Sequence, residues 1–166
     1  MTPINITWVP SVTQLMLDPT SNIYAWLTKP FSLTTALRKT CQSLHVQVNQ
    51  QTLASATKEE QTWLNIQEHD SFIRDVYLVG DNIKMVHARV IAPHSTYIFF
   101  KNELDNLGTN FIGETFLFKQ TYVRSEFKYT VINNNFARRS LFNINSKDLM
   151  ITEIILSTIP PYPQST

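Results

Sequence analysis

Two β-rich runs, residues 73–79 and 83–92, lie either side of Gly80-Asp81-Asn82. Runs of this composition, joined by residues that accept a left-handed backbone, predict a β-hairpin. Three more β-rich runs follow, at about 122–132, 137–145 and 149–156, joined by Asn-rich and Ser-Lys-Asp turns. Strands that succeed one another through short turns pair antiparallel. The expected fold is therefore α+β: a mostly antiparallel sheet of about six strands with helices packed on one face.

The helices come mainly from the N-terminal third. The segment 22–29 stops before Pro30, where the proline ring disfavours a helical predecessor. Ser32 or Thr34 can cap a second helix carrying Ala36, Leu37 and Arg38. Leu44, Val46 and Val48 alternate with polar residues, a strand pattern, and Thr57-Lys58-Glu59-Glu60 forms a capping box. Residues 94–107 read as a further helix closed by Gly108. A chain of 166 residues with 43% hydrophobic residues suits one domain spanning 1–166, with a proline-rich coil at 158–166 lying on the surface.

Several function classes are disfavoured. A net charge of +1 with scattered basic residues offers no footprint for nucleic acid or an anionic membrane. Cys41 is the single cysteine and closes no internal disulfide, which fits a reducing compartment. The N-terminal residues lack a signal-peptide pattern, and no apolar stretch approaches the roughly 18 residues needed to span a bilayer. A cytoplasmic protein without membrane insertion is expected. The histidines at 45, 69, 87 and 94 lack metal-ligand spacing. The three glycines form no phosphate loop, and no serine stands in a G-x-S-x-G context. No metal or cofactor is expected.

Three charges stand on apolar strand faces. Side chains alternate along a strand, so Arg74 shares a face with Val76 and Leu78, and Arg89 one with Met85, His87 and Ile91. Glu153 is the one charge within an otherwise apolar last strand. A buried ion without a partner costs several kcal/mol, so such residues pair or hold a ligand. Two arginines against one carboxylate leave a positive excess suited to a small anion, and a guanidinium matches a carboxylate in bidentate fashion. The expectation is an enclosed pocket furnished by Arg74, Arg89 and Glu153. Arg138-Arg139, by contrast, reads as a solvated strand end, and the aromatics between 99 and 118 as core.

At these residues the chain resembles the chorismate pyruvate-lyase family. The likeness runs from about Trp26 to Tyr162, through Ser32-Leu33-Thr34, Ile73-Arg74-Asp75-Val76-Tyr77-Leu78, Ala88-Arg89-Val90-Ile91-Ala92-Pro93, Ile112-Gly113-Glu114, Arg138-Arg139-Ser140 and Leu149-Met150-Ile151-Thr152-Glu153. The resemblance implies conversion of chorismate to 4-hydroxybenzoate and pyruvate for ubiquinone biosynthesis, by a monomer. It also implies that Arg74 holds the ring carboxylate, Glu153 meets the ring hydroxyl, and backbone groups of Leu33 and Ile112 touch the ligand. Arg89 is expected at the enolpyruvyl carboxylate. The chain departs from the family pattern in a longer 112–118 segment, in Asp75 for glutamate, and in His87 for a small residue. Glu153 orients the hydroxyl or acts as a base. Two rival readings are a non-catalytic effector-binding domain of the GntR regulator type and a protein acting on another aromatic acid. The stretch before residue 22 is expected to be too short for a helix-turn-helix.

Overall fold

The computed structural model describes residues 5–67 and 70–164, so His69 and the end of the proline-rich tail fall outside the description. Seven strands form one sheet: β1 (Leu44–Ser55), β2 (Asp70–Gly80), β3 (Ile83–Ala92), β4 (Tyr122–Arg124), β5 (Lys128–Ile132), β6 (Asn135–Ile144) and β7 (Lys147–Ile155). Their order is β1-β2-β3-β7-β6-β4, with β5 also on β6, and every pairing is antiparallel. The expected antiparallel α+β architecture is present. The strand beyond the expected six arises because the 122–132 run is interrupted. Ser125 takes a side-chain bond from the Leu141 amide, and the chain rejoins β6 only at Lys128.

All three tight hairpins turn through two left-handed residues: Asp81-Asn82, Asn133-Asn134 and Asn145-Ser146, with φ between 48° and 65°. Asp and Asn accept this backbone because their short polar side chains bond locally. Two left-handed residues in succession give the turn whose twist matches the strands.

The helices are α1 (Asn22–Thr28), α2 (Leu33–Arg38), α3 (Lys58–Leu64), α4 (His94–Phe99), α5 (Lys101–Asp105) and α6 (Ile112–Thr115). Ser21 caps α1, Ser32 rather than Thr34 caps α2, and Thr57 with Glu60 forms the expected capping box on α3. The helix expected over 94–107 is broken at Phe100, whose φ of −108° leaves the helical range. Its ring turns inward onto Phe116, with centroids 5.0 Å apart.

Two apolar clusters share one face of the sheet. Trp26, Leu27, Leu33 and Leu37 pack on Val76, Leu78, Val86 and Ile155. Tyr97, Phe100, Leu104 and Leu117 pack on Phe72, Val90, Phe142 and Ile151. Each such side chain, removed from water, contributes roughly 1.5–3 kcal/mol. The opposite face is covered by α3, with Trp63 and Leu64 over Ile73, Ile91 and Met150. The C-terminal coil is held down over α1, with Ile159 buried and the Pro160 carbonyl accepting from Trp26 Nε1 at 2.7 Å. Among the described residues no helix is long and apolar enough to cross a membrane.

One irregularity in the β2–β3 hairpin positions the charged residues. Next to the turn Gly80 faces Ile83 and Val79 faces Lys84, but beyond it Leu78 faces Val86. Met85 is thus an extra residue, a β-bulge. A shift of one residue exchanges the faces of everything that follows. An unbulged ladder would set Arg74 opposite Arg89 on one face. With the bulge Arg74 faces Val90, and Arg89 faces Asp75 on the other side of the sheet.

Candidate active site

A cavity of about 70 Å³ lies at the seam of the two apolar clusters. The sheet contributes Arg74, Val76 and Leu78 from β2, Ala88 and Val90 from β3, and Ile151 and Glu153 from β7. Leu33 from α2 and Ile112 and Gly113 from α6 line the other side, with Arg124 from β4 at one end. A methyl group on Gly113 would come within 2.7 Å of the Phe118 ring, so a side chain here would have to displace that ring. Arg38 on α2 and Glu114 on α6 join the two helices through a bidentate ion pair, both contacts 2.9 Å. That pair is exposed and contributes little to stability.

Arg74 is 2% exposed, yet its partners among the described residues are neutral oxygens. Nη1 donates to Gln51 Oε1 at 2.7 Å and to the Gly108 carbonyl at 3.0 Å, and Nη2 donates to the Asn110 carbonyl at 3.0 Å. Gln51 is there because it faces Arg74 across β1 and β2. Burial draws the Arg74 pKa below the ordinary arginine value. A desolvated guanidinium held by neutral acceptors is poised for an anion.

Glu153 lies in register between Ala88 on β3 and Arg138 on β6. Arg138 is fully buried and gives Nε to Glu153 Oε1 at 2.9 Å and Nη1 to the Pro30 carbonyl at 2.6 Å. Arg124 Nη2 lies 3.5 Å from the same Glu153 oxygen. Burial lowers the Arg124 pKa to about 10.

Arg89 is not brought to this cavity. On the opposite face its guanidinium grips both oxygens of Glu60, at 2.6 and 3.1 Å, and reaches Asp75 Oδ2 at 2.8 Å. His87 Nε2 is 3.1 Å from the other Asp75 oxygen and therefore does not form the pocket wall. Burial raises the pKa values of Asp75 and Glu60, but bonds from His87, Arg89 and Thr57 outweigh it and leave both lowered. Arg139 stands in the same row, against the rings of Trp8 and Trp63, and pairs with Glu59. The Arg138-Arg139 pair is thus not a solvated strand end. Both residues are buried, on opposite faces, as neighbours in a strand between two covered faces must be.

Of the three charges expected to converge, the structure brings Arg74 and Glu153 to one cavity, together with Leu33 and Ile112, and separates Arg89. Arg124 is an addition on the cavity wall, and Arg138 is one that reaches the site only through Glu153. Arg124 lies in a strand of three residues, too short for alternation to reveal a face. Arg138 was legible in principle, since one of two consecutive strand residues must point inward.

Fold and site define a class: an antiparallel α+β protein with a small, mostly apolar pocket whose charged groups are the guanidiniums of Arg74 and Arg124 and the carboxylate of Glu153. The profile of the family described as chorismate lyase matches residues 2–165. A probable chorismate pyruvate-lyase of Pasteurella multocida is 30% identical over 156 residues, covering 92% of this chain and 89% of that protein. A chorismate pyruvate-lyase of Proteus mirabilis is 28% identical over 146 residues, covering 86% and 85%. The C-terminal domain of the histidine utilization repressor from Pseudomonas syringae pv. tomato has the same fold. Its TM-score is 0.58 at 8% identity, over 75% of this chain and 99% of that domain. This chain belongs to the chorismate lyase family.

Proposed function

We propose that this protein is a lyase converting chorismate to 4-hydroxybenzoate and pyruvate, the first committed step of ubiquinone biosynthesis. The observation that carries the reading is Arg74, a buried guanidinium whose partners among the described residues are all neutral, in the pocket of a chain from this family. Arg74 holds the ring carboxylate, Glu153 meets the ring hydroxyl, and backbone groups of Leu33 and Ile112 touch the ring.

The reaction is an elimination. The ether carbon–oxygen bond breaks with its electron pair leaving on the enolpyruvyl oxygen. The hydrogen on the hydroxyl-bearing carbon leaves as a proton, its bonding pair completes the aromatic ring, and the enolpyruvate takes a proton at its methylene to give pyruvate. Atoms balance without a further reactant and nothing is oxidised overall, so the chemistry needs no cofactor. Aromatisation supplies the driving force. The protein contributes a fixed reactive conformer and exclusion of water. Purified protein incubated with chorismate is expected to develop 4-hydroxybenzoate absorbance; tight binding without turnover favours an effector-binding domain instead.

Glu153 acts by orientation, because Arg138 holds its carboxylate in place. An amide of the same shape still accepts a hydrogen bond from the ring hydroxyl. Glu153→Gln is expected to keep roughly 1–10% of wild-type kcat, a general base being worth about 10²–10⁴-fold. Complete loss of turnover in a folded variant would sink the orienting role.

A further inference from the structure

The chorismate reading, on which this inference rests, leaves one requirement open. The substrate is a dianion, and Arg74 answers only its ring carboxylate. The family resemblance points to Arg89 for the enolpyruvyl carboxylate, but Arg89 is on the far side of the sheet, bonded to Glu60 and Asp75. Of the arginines on the pocket side, Arg138 does not line the cavity and is engaged by Glu153 and the Pro30 carbonyl. The Glu153–Arg138 pair is neutral as a unit. With Arg74 and Arg124 on the cavity wall and the single carboxylate of Glu153 shared between Arg124 and Arg138, a net charge of +2 is left about the cavity, the number a dianion requires.

The substrate's covalent geometry says where the second charge must be. The ether carbon is adjacent to the carbon that carries the hydroxyl. With the ring carboxylate at Arg74 and the hydroxyl at Glu153, the enolpyruvyl arm leaves the ring at the Glu153 end. Arg124 is at that end, with Nη2 3.5 Å from Glu153 Oε1. That distance is too long for a good hydrogen bond, so this nitrogen's protons are not committed to Glu153. Nε is bonded to Ser140 Oγ at 2.9 Å and Nη1 to the Phe31 carbonyl at 2.5 Å. A guanidinium has five donors in a fixed fork, so those two bonds leave others to give. The rings of Phe31, Phe127 and Phe142, 4.5–4.8 Å from Cζ, fix the plane and exclude water.

We propose that Arg124 is the second carboxylate anchor: it binds the enolpyruvyl carboxylate and stabilises the negative charge that gathers on the enolpyruvate as the ether bond breaks. The product 4-hydroxybenzoate lacks that carboxylate and does not use Arg124 directly. This predicts a split that a merely structural arginine would not show.

The test measures kcat/KM for chorismate and Kd for 4-hydroxybenzoate in the same variants. Arg124→Met is expected to lose about a hundredfold or more in kcat/KM, as for a charge-assisted bond removed from a desolvated site. Its Kd for 4-hydroxybenzoate is expected to stay within about threefold of wild type, a value that also reports that the pocket is folded. Arg124→Lys, which keeps the charge without the fork, should show the same split with a smaller loss, and it serves if the methionine variant does not fold. Near-normal kcat/KM in either folded variant overturns the assignment. Equal losses for chorismate and 4-hydroxybenzoate also overturn it, because Arg124 would then act only by shaping the pocket. Absence of turnover in the wild-type protein, by contrast, overturns the activity itself and is read before any variant.

Discussion

Arg74→Met is expected to abolish productive binding while leaving the ligand-free protein at least as stable as wild type. The expected loss in kcat/KM is roughly 10³-fold, about 4 kcal/mol, as for removing one partner of a buried charge-assisted contact. Kd for 4-hydroxybenzoate should rise in step, since the ring carboxylate is common to substrate and product. The stability side follows from the partners of Arg74. Gln51, Gly108 and Asn110 offer neutral oxygens, so the guanidinium's desolvation is only partly offset until an anion arrives. Methionine fills much of the same volume without the charge. Melting curves with and without 4-hydroxybenzoate test both halves: the ligand-induced rise in Tm should vanish, and the ligand-free Tm should hold or rise. Near-normal turnover would remove Arg74 from the site. A large fall in the ligand-free Tm would show it to be mainly a tie to the 108–110 backbone.

Arg89→Met should behave in the opposite way. It leaves Glu60 and Asp75, both nearly fully buried, without their main counter-ion. Breaking such a network by deleting one member costs roughly 3–5 kcal/mol, which for a chain of this size lowers Tm by roughly 6–20 °C. Turnover per folded molecule should remain near wild type, because the guanidinium is on the face away from the cavity. Adding Glu60→Gln should restore part of the stability, since the second change removes one of the stranded charges. A folded Arg89→Met protein with kcat/KM reduced a hundredfold would contradict the separation of the two faces. Together the two arginines form a test in which one variant is stable and inactive, the other active and unstable.

The difference between these arginines rests on Met85. Alternation along β2 and β3 is visible in the residues, and so is the turn at Asp81-Asn82. The bulge is not, because an additional apolar residue in a strand buried on both faces leaves no break in the pattern. The face of Arg124 is hidden in the sequence for a related reason: β4 has only three residues, and its face is fixed by pairing with β6. Arg138 and Arg139 illustrate the reverse. Two adjacent basic residues suggest solvent, yet the chain gives no sign that α3 covers one face of the sheet and α1 and α2 the other.

What the sequence by itself determined was local. A cap at Ser32 or Thr34, the capping box at Thr57, turns at Gly80-Asp81-Asn82 and at the Asn-rich and Ser-Lys-Asp stretches, and strand alternation are set by neighbours a few residues apart, where backbone sterics and short hydrogen bonds decide. These were enough for an antiparallel α+β fold and for the inward placement of Arg74 and Glu153. Which charges meet was decided only in the tertiary structure. Register, bulge position and helix coverage depend on residues far apart in the chain. A one-residue shift costs little locally but moves a guanidinium through the sheet, giving Arg89 to a structural network and leaving Arg124 at the end of the pocket.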